Sequence, residues 1–283
     1  MILMLKALER TGDYLRSSLA LGPTPRSKWD ILWKQTKNLR VQLKMDVHHP
    51  DQVYSLDTVY GTLYFRDNFG DITNLLNIFF HRTYKVEKVH NGGAILDIGA
   101  NIGLAAAWFL YHNPEKPLYC FEPLSANARM VGLNCPSATV KQVALGAGAG
   151  KISLQVDPYN VMASTIPCAW ETRDLEFEVA SLDEFITTHP IEQVALMKID
   201  VEGMELEVLR GAGETLKKTF QVVMETHGQE RHDTARSMLE EAGFRLDSQE
   251  FDGKTGMVFA SRGDTEASVD AGLGATAGTT NQA

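Results

Sequence analysis

Ala94-Ile95-Leu96-Asp97-Ile98-Gly99-Ala100-Asn101-Ile102-Gly103 is the stretch on which the fold turns. Ile95, Leu96 and Ile98 form a compact apolar run, the pattern of an inner strand covered on both faces. Gly99 and Gly103 bracket Asn101 in a G-x-N-x-G turn, and residues 104–110 continue with a helical apolar pattern. A strand that drops through glycines into a helix brings a ligand against bare backbone and the positive end of the helix. In α/β folds this is how nucleotide-like cofactors are held.

The surrounding chain supports an α/β reading. Residues 118–121 form a second apolar strand that ends in Glu122-Pro123, with a helical run over 125–133. Glu122 follows Asp97 by 25 residues, close to the spacing at which nucleotide-binding folds set an acid against ribose hydroxyls. Residues 140–145 read as a third strand closing at Gly146, and 150–157 and 176–180 as further strands. Between these last two lies a polar loop, 157–174, whose Tyr159, Met162, Thr165, Trp170 and Arg173 suit a substrate pocket or a surface connection equally. Ser181 and Glu184 stand at capping-box spacing.

A second informative stretch is Val194-Ala195-Leu196-Met197-Lys198-Ile199-Asp200-Val201-Glu202-Gly203. It reads as a strand whose end displays Lys198, Asp200 and Glu202 at alternate positions, hence on one side. Charges there are expensive to bury without partners, which favours a functional role. The next strand, residues 220–227, ends in Glu225-Thr226-His227. A helix over 231–242 and two closing antiparallel strands, 244–249 and 256–262, complete the domain.

Upstream, residues 1–45 read as two helical pieces separated by Gly22-Pro23-Thr24-Pro25, and 53–65 as a strand or hairpin. Asp71 is placed to cap a helix carrying Leu75, Leu76 and Ile78. The expected organisation is an N-terminal helical extension over 1–50, a main domain over 51–262 and a disordered Gly/Ala/Thr-rich tail over 263–283.

At 283 residues with 44% apolar content the chain can bury a full core. Its net charge of −9 argues against generic nucleic-acid binding. The charge is uneven: residues 1–50 carry nine Lys/Arg against four Asp/Glu, net +5, and the remainder eighteen against thirty-two, net −14. The basic segment suits an acidic partner, a membrane surface or a solvated helix face. Three cysteines, Cys120, Cys135 and Cys168, lack metal-ligand spacing and make a reducing, cytoplasmic setting the default. The N-terminus is charged too early to read as a signal peptide or a transmembrane segment.

Taken together, the 95–103 turn, Phe121-Glu122-Pro123, Val143-Ala144-Leu145-Gly146, Ser181-Leu182-Asp183, Lys198-Ile199-Asp200-Val201-Glu202-Gly203-Met204-Glu205 and Val208-Leu209-Arg210-Gly211 resemble the FkbM family of S-adenosylmethionine-dependent methyltransferases over roughly residues 58–260. The Lys-Ile-Asp-Val-Glu-Gly block is the most characteristic part. The resemblance implies a class I methyltransferase (Rossmann-like) three-layer sandwich with a seven-stranded, mostly parallel sheet. It also implies S-adenosyl-L-methionine as cofactor and O-methylation of a hydroxylated small molecule, sugar, glycolipid or natural product. Asp97, Gly99, Asn101 and Gly103 then lie beside the methionine portion of the cofactor, Glu122 at its ribose, Val143 and Ala144 at adenine, and Asp71 near the methionine end.

Methyl transfer to an unactivated hydroxyl calls for a base or a metal. His227 is the first candidate base, since its ring titrates near neutrality. Asp200 and Glu202 are alternatives, and Lys198 either neutralises the acids or binds the cofactor carboxylate. Strand-end acids, Glu225 among them, are compatible with a divalent metal without specifying one, and no metal is predicted. The competing reading is a non-catalytic cofactor-binding or scaffold protein with the same fold. The N-terminal helices are expected to cover a sheet edge or join a homo-oligomer.

Overall fold

The computed structural model describes residues 2–158, 163–166 and 172–263, without the side chains of residues 2–10 and 42. Tyr159, Met162, Cys168, Trp170 and the tail expected to be disordered lie outside these residues, apart from Gly263.

Helices α1 (Ile2–Leu21), α2 (Pro25–Gln35) and α3 (Lys37–Gln42) lead into the hairpin β1 (His49–Thr58) and β2 (Gly61–Asp67). The N-terminal segment thus forms three helices where two pieces were expected, because the chain breaks again at Thr36. Thr24 caps α2 with Pro25 at its first position, where a missing N–H costs nothing. Leu21 and Ile31 enter the same core as Leu56, Phe65 and Phe79, so these helices are packed onto the main domain.

Helix α4 (Phe69–Leu75) continues into a π-helical turn, Leu76–Phe80. Its cap is Asn68, whose side chain accepts from the amides of Gly70 and Asp71. The expectation that Asp71 caps this helix is corrected. Asp71 sits inside the first turn, and its carboxylate is held by Arg66 and Asn68.

Strand β3 (Ala94–Ile98), helix α5 (Leu104–His112), strand β4 (Leu118–Phe121), helix α6 (Ser125–Asn134) and strand β5 (Thr139–Lys141) then build one half of the main sheet. The expected strand over 140–145 is two strands in two sheets. The Glu122 amide still donates to the Lys141 carbonyl, but the Leu124 amide, next on that side of the strand, donates to the Glu122 carboxylate and does not extend the ladder. Beyond Lys141 the chain turns, with the Val143 amide donating to the Lys141 carbonyl. It then forms β6 (Ala144–Leu145), which joins β7 (Gly150–Val156), β8 (Ala163–Ser164) and β9 (Arg173–Ala180) in a four-stranded sheet.

Helix α7 (Leu182–Thr188), strand β10 (Val194–Ile199), helices α8 (Glu205–Arg210) and α9 (Gly213–Lys217), strand β11 (Thr219–His227), helix α10 (Gln229–Glu241) and strands β12 (Arg245–Phe251) and β13 (Thr255–Ser261) complete the chain. The main sheet runs β12-β13-β11-β10-β3-β4-β5. β13 pairs antiparallel with both neighbours, and the other pairs are parallel. This is the expected seven-stranded, largely parallel sheet with one reversed strand, between helical layers.

β3 and β10 are buried along their whole lengths, as their unbroken apolar runs require. Alternate residues face opposite layers: Ile95, Leu196 and Val223 join the core under α5, while Leu96, Met197 and Val222 join the core under α8 and α10. Strand order reverses between β3 and β10, and in open α/β sheets the crevice outside such strand ends receives the ligand.

Candidate active site

Two backbone turns close the carboxyl ends of β3 and β10. Gly99 has φ of 77°, and a Cβ there would lie 1.8 Å from the Asp200 carbonyl oxygen, so only glycine lets the two strand ends meet. Asn101 and Glu202 also adopt left-handed backbone, with φ of 51° and 50°. Non-glycine residues held in this conformation mark strain that surrounding contacts must support. The carbonyl of Glu202 accepts from the Ser164 hydroxyl at 3.0 Å and the Thr165 amide at 3.1 Å.

Glu122, at the end of β4, locks the glycine turn. One oxygen accepts from the Asn101 amide at 2.8 Å, and the other from the Leu124 amide at 2.9 Å. Burial pushes its carboxyl up to about 7 against the opposing pull of these amides. Glu122 borders a narrow cleft of about 90 Å³ with Asn101, Val143, Ala144 and Met204.

Deeper in, the Lys198 ammonium lies 3.0 Å from Asp97 and 3.8 Å from Asp200 and donates to the Gly99 carbonyl at 2.7 Å. Burial favours the neutral amine, but Asp97 and Asp200 outweigh it and hold the group charged. The Tyr84 hydroxyl donates to Asp200 at 3.0 Å. These contacts set the Lys198 charge against the two carboxylates.

His227 closes the acidic side. Its Nδ1 lies 2.8 Å from Glu205 Oε1, and its Nε2 lies 3.2 Å from Glu202 Oε2 and 3.8 Å from Glu225 Oε1. Burial favours the neutral ring, yet the hydrogen bond to Glu205 and the fields of Glu202, Glu205 and Asp200 hold it charged, up to about 9. Burial and the Asp200 charge push Glu202 up to about 7 and Glu225 up to about 8, against the opposing His227 charge.

A second cavity of about 400 Å³ lies against this cluster. Thr73, Asn74, Asn77 and Thr83 line one side, and Lys198, Asp200, Glu202 and Glu225 the other. It shares Gly99, Asn101, Asp200 and Glu202 with the narrow cleft. A molecule in each would meet at those four residues. A larger cavity, about 1030 Å³, opens at the opposite sheet edge beside His90, Lys116 and Gln193 and includes none of the strand-end acids.

The structure therefore brings Asp97, Gly99, Asn101, Glu122, Lys198, Asp200 and Glu202 to one crevice, with Val143 and Ala144 on the cleft wall. Gly103 caps α5 with φ of 85°. Asp71 is buried with both oxygens bonded within the protein, so it orders Arg66 and Asn68 beneath α4. His227 stands behind Glu202 and Glu225, which border the cavity. Glu205 and Tyr84 were not singled out from sequence. An acid in the first turn of a helix that follows a charged strand end was the available signal for Glu205; none marked Tyr84. Among the described residues no group of three or more His, Cys, Asp or Glu side chains has a metal-holding arrangement.

Residues 97–246 match the family model described as the methyltransferase FkbM domain. The chain is 27% identical over 196 residues to Methyltransferase 1 of Beauveria bassiana, covering 60% of this chain and 79% of that protein. It is 28% identical over 161 residues to the 2-O-methyltransferase NoeI of Sinorhizobium fredii, covering 49% and 65%. With the hexuronic acid methyltransferase AglP of Haloferax volcanii it shares 24% identity over 144 residues, covering 50% and 59%.

Proposed function

The chain belongs to the methyltransferase FkbM family and is an S-adenosylmethionine-dependent methyltransferase, and from that premise we propose that it methylates a hydroxyl oxygen of a small polar acceptor such as a sugar or glycolipid head group. The observation that carries this reading is the meeting of the two cavities at Gly99, Asn101, Asp200 and Glu202. The acceptor side offers hydroxyl and amide groups from Thr73, Asn74, Asn77 and Thr83, which suit a ligand rich in hydroxyls. Two relatives bear names that specify 2-O-methylation and a hexuronic acid.

The residues fit the cofactor. Glu122 spends two backbone bonds on the turn and keeps lone pairs for ribose hydroxyls. Val143 and Ala144 give a flat, small-residue wall for adenine, and the flexible Met204 side chain can yield space in the narrow cleft. Asn101 and the Gly99–Gly103 turn face the methionine end. When bound, the cofactor supplies a sulfonium methyl group and a neutral thioether leaving group.

The chain's own work is to align the acceptor and take its proton. Glu202 is the proton acceptor in this reading. It borders both cavities, and a carboxyl raised to about 7 is a stronger base than an ordinary carboxylate. His227 lies behind it as a charged partner that fixes its Oε2, with Glu205 fixing the ring in turn. Asp200, held by Tyr84 and Lys198, borders both cavities and would face the cationic cofactor centre.

The test is transfer of label from methyl-labelled cofactor to a panel of glycosides, hexuronic acids and amines. An alkali-stable methyl ether is expected. Label found only as an alkali-labile ester, or only on nitrogen, would overturn O-methylation of a hydroxyl. Tight cofactor binding without transfer to any hydroxylated acceptor would count for the scaffold reading.

A further inference from the structure

The N-terminal helices leave an apolar surface uncovered. Trp29 and Trp33, one turn apart on α2, stack with ring centroids 6.5 Å apart, yet stay 63% and 51% exposed. The Arg40 guanidinium lies 3.8 Å over the Trp33 ring, which carries the surface onto α3. The chain then exposes Leu43, Met45 and Val47, with the Met45 amide tied to the Arg40 carbonyl at 2.8 Å. Scattered apolar residues on a surface are normal, but a connected patch with a stacked tryptophan pair marks an interaction site.

The charge around the patch indicates what covers it. Residues 25–47 carry six Lys/Arg against two Asp, net +4, with one of the six, Lys37, buried and paired with Asp67, while the rest of the chain carries twenty-one against thirty-four, net −13. Arg26, with its side chain 92% exposed, and Lys44, also exposed, lie on the tryptophan-bearing segment. A negative surface attracts this segment and repels the rest of the molecule, which orients the approach. Tryptophan prefers the head-group layer, where its apolar ring is buried and its N–H stays wet.

The patch also adjoins the acceptor cavity. Asn38 on α3 donates to the Phe69 carbonyl at 3.0 Å, and Phe69 and Thr73 border that cavity. No helix among the described residues is long and apolar enough to cross a membrane.

We propose that α2, α3 and residues 43–47 form a docking face for an anionic lipid membrane surface, which brings the acceptor cavity to the head-group layer. The full chain, without cofactor or acceptor, is sedimented with vesicles of phosphatidylcholine alone and of phosphatidylcholine mixed with phosphatidylglycerol. Binding is expected only to the mixed vesicles, with loss at high salt. Arg26→Glu with Lys44→Glu, both at exposed positions, is expected to weaken the partition at least about tenfold, since each basic residue near the surface contributes roughly 1 kcal/mol. Trp29→Ser with Trp33→Ser is expected to weaken it as well, with unchanged circular dichroism.

Equal binding to both vesicle types, no binding to either, or full binding by the charge-reversed variant would overturn the proposal. So would a concentration-dependent dimer that the tryptophan variant disperses, because a second copy would then occupy the face. The measurement reads no methyl transfer, so its outcome is independent of the acceptor assignment.

Discussion

His227 Nδ1 lies 2.8 Å from Glu205 Oε1, and Glu205 is fully buried in the first turn of α8. Glu205 also accepts from the Gly203 amide at 2.8 Å, so one carboxylate orients both the ring and the turn that carries Glu202. Glu205→Gln keeps the shape and removes the charge. We expect the His227 ring to titrate at least about 1 pH unit lower, since loss of a close opposite charge shifts a pKa by roughly 1–3 units. Ring NMR signals followed against pH check this. An unmoved midpoint would show that Glu202 and Asp200 alone hold the charge.

The same cluster sets how stability depends on pH. Glu122, Glu202 and Glu225 are raised to about 7, 7 and 8 from an ordinary 4.5, and His227 to about 9 from 6.5. In each case the folded chain binds protons more tightly than the unfolded chain. Stability therefore falls as pH rises, from 4.5 through about 8 for the carboxyls and from 6.5 through about 9 for the ring. Thermal melts of the cofactor-free protein should show a declining Tm from mildly acid to alkaline pH. A cationic cofactor in the crevice should flatten that decline by favouring the ionised acids.

Glu202→Gln should lower turnover at saturating cofactor by about 10²–10⁴, the usual worth of a positioned base. His227→Gln should cost less, because in this arrangement the ring positions Glu202. Its effect should also depend on pH, as Glu202 loses the opposing charge and titrates higher. Steady-state kinetics over a pH series separate the two. If His227→Gln abolishes turnover while Glu202→Gln does not, the base role returns to His227, the first candidate in the sequence.

Much of this arrangement was legible because its signals are local. The apolar runs of β3 and β10, the glycine spacing and the strand-end charges each lie within ten residues, and together they placed Asp97, Asn101, Glu122, Lys198, Asp200 and Glu202 at one sheet edge. Contacts between separate elements were not legible. His227 read as a neutral base because the 2.8 Å contact with Glu205 joins residues 22 apart. Tyr84 reaches Asp200 across 116 residues of chain. The split at Lys141 accompanies the turn after β4, where the Leu124 amide donates to Glu122, and residues 140–145 alone do not contain that contact.

Glu122→Gln should weaken cofactor affinity about tenfold, because a neutral amide accepts ribose hydroxyls less strongly than a carboxylate. Both carboxylate oxygens accept backbone amides, so the Gln NH2 faces one of these N–H donors and a stability cost of about 1–3 kcal/mol is expected as well. Glu122→Ala should lose affinity and also about 1–3 kcal/mol of stability, as the buried amides of Asn101 and Leu124 lose their acceptor. Calorimetry and denaturant unfolding distinguish the two effects. Unchanged affinity in both variants would remove Glu122 from the cofactor site.

Lys198→Met tests whether the buried ammonium is chiefly a counter-charge. Asp97 is fully buried, and its ion pair with Lys198 spans adjacent strands β3 and β10. Removing one partner strands the other, so a loss of about 3–5 kcal/mol is expected in urea unfolding. Adding Asp97→Leu removes the stranded charge and should recover a large share of that loss. Cofactor affinity should stay impaired in the double variant, because the Gly99 carbonyl has lost its 2.7 Å donor and the turn is no longer held. Recovery of stability together with full cofactor affinity would mean that the glycine turn holds its shape without Lys198.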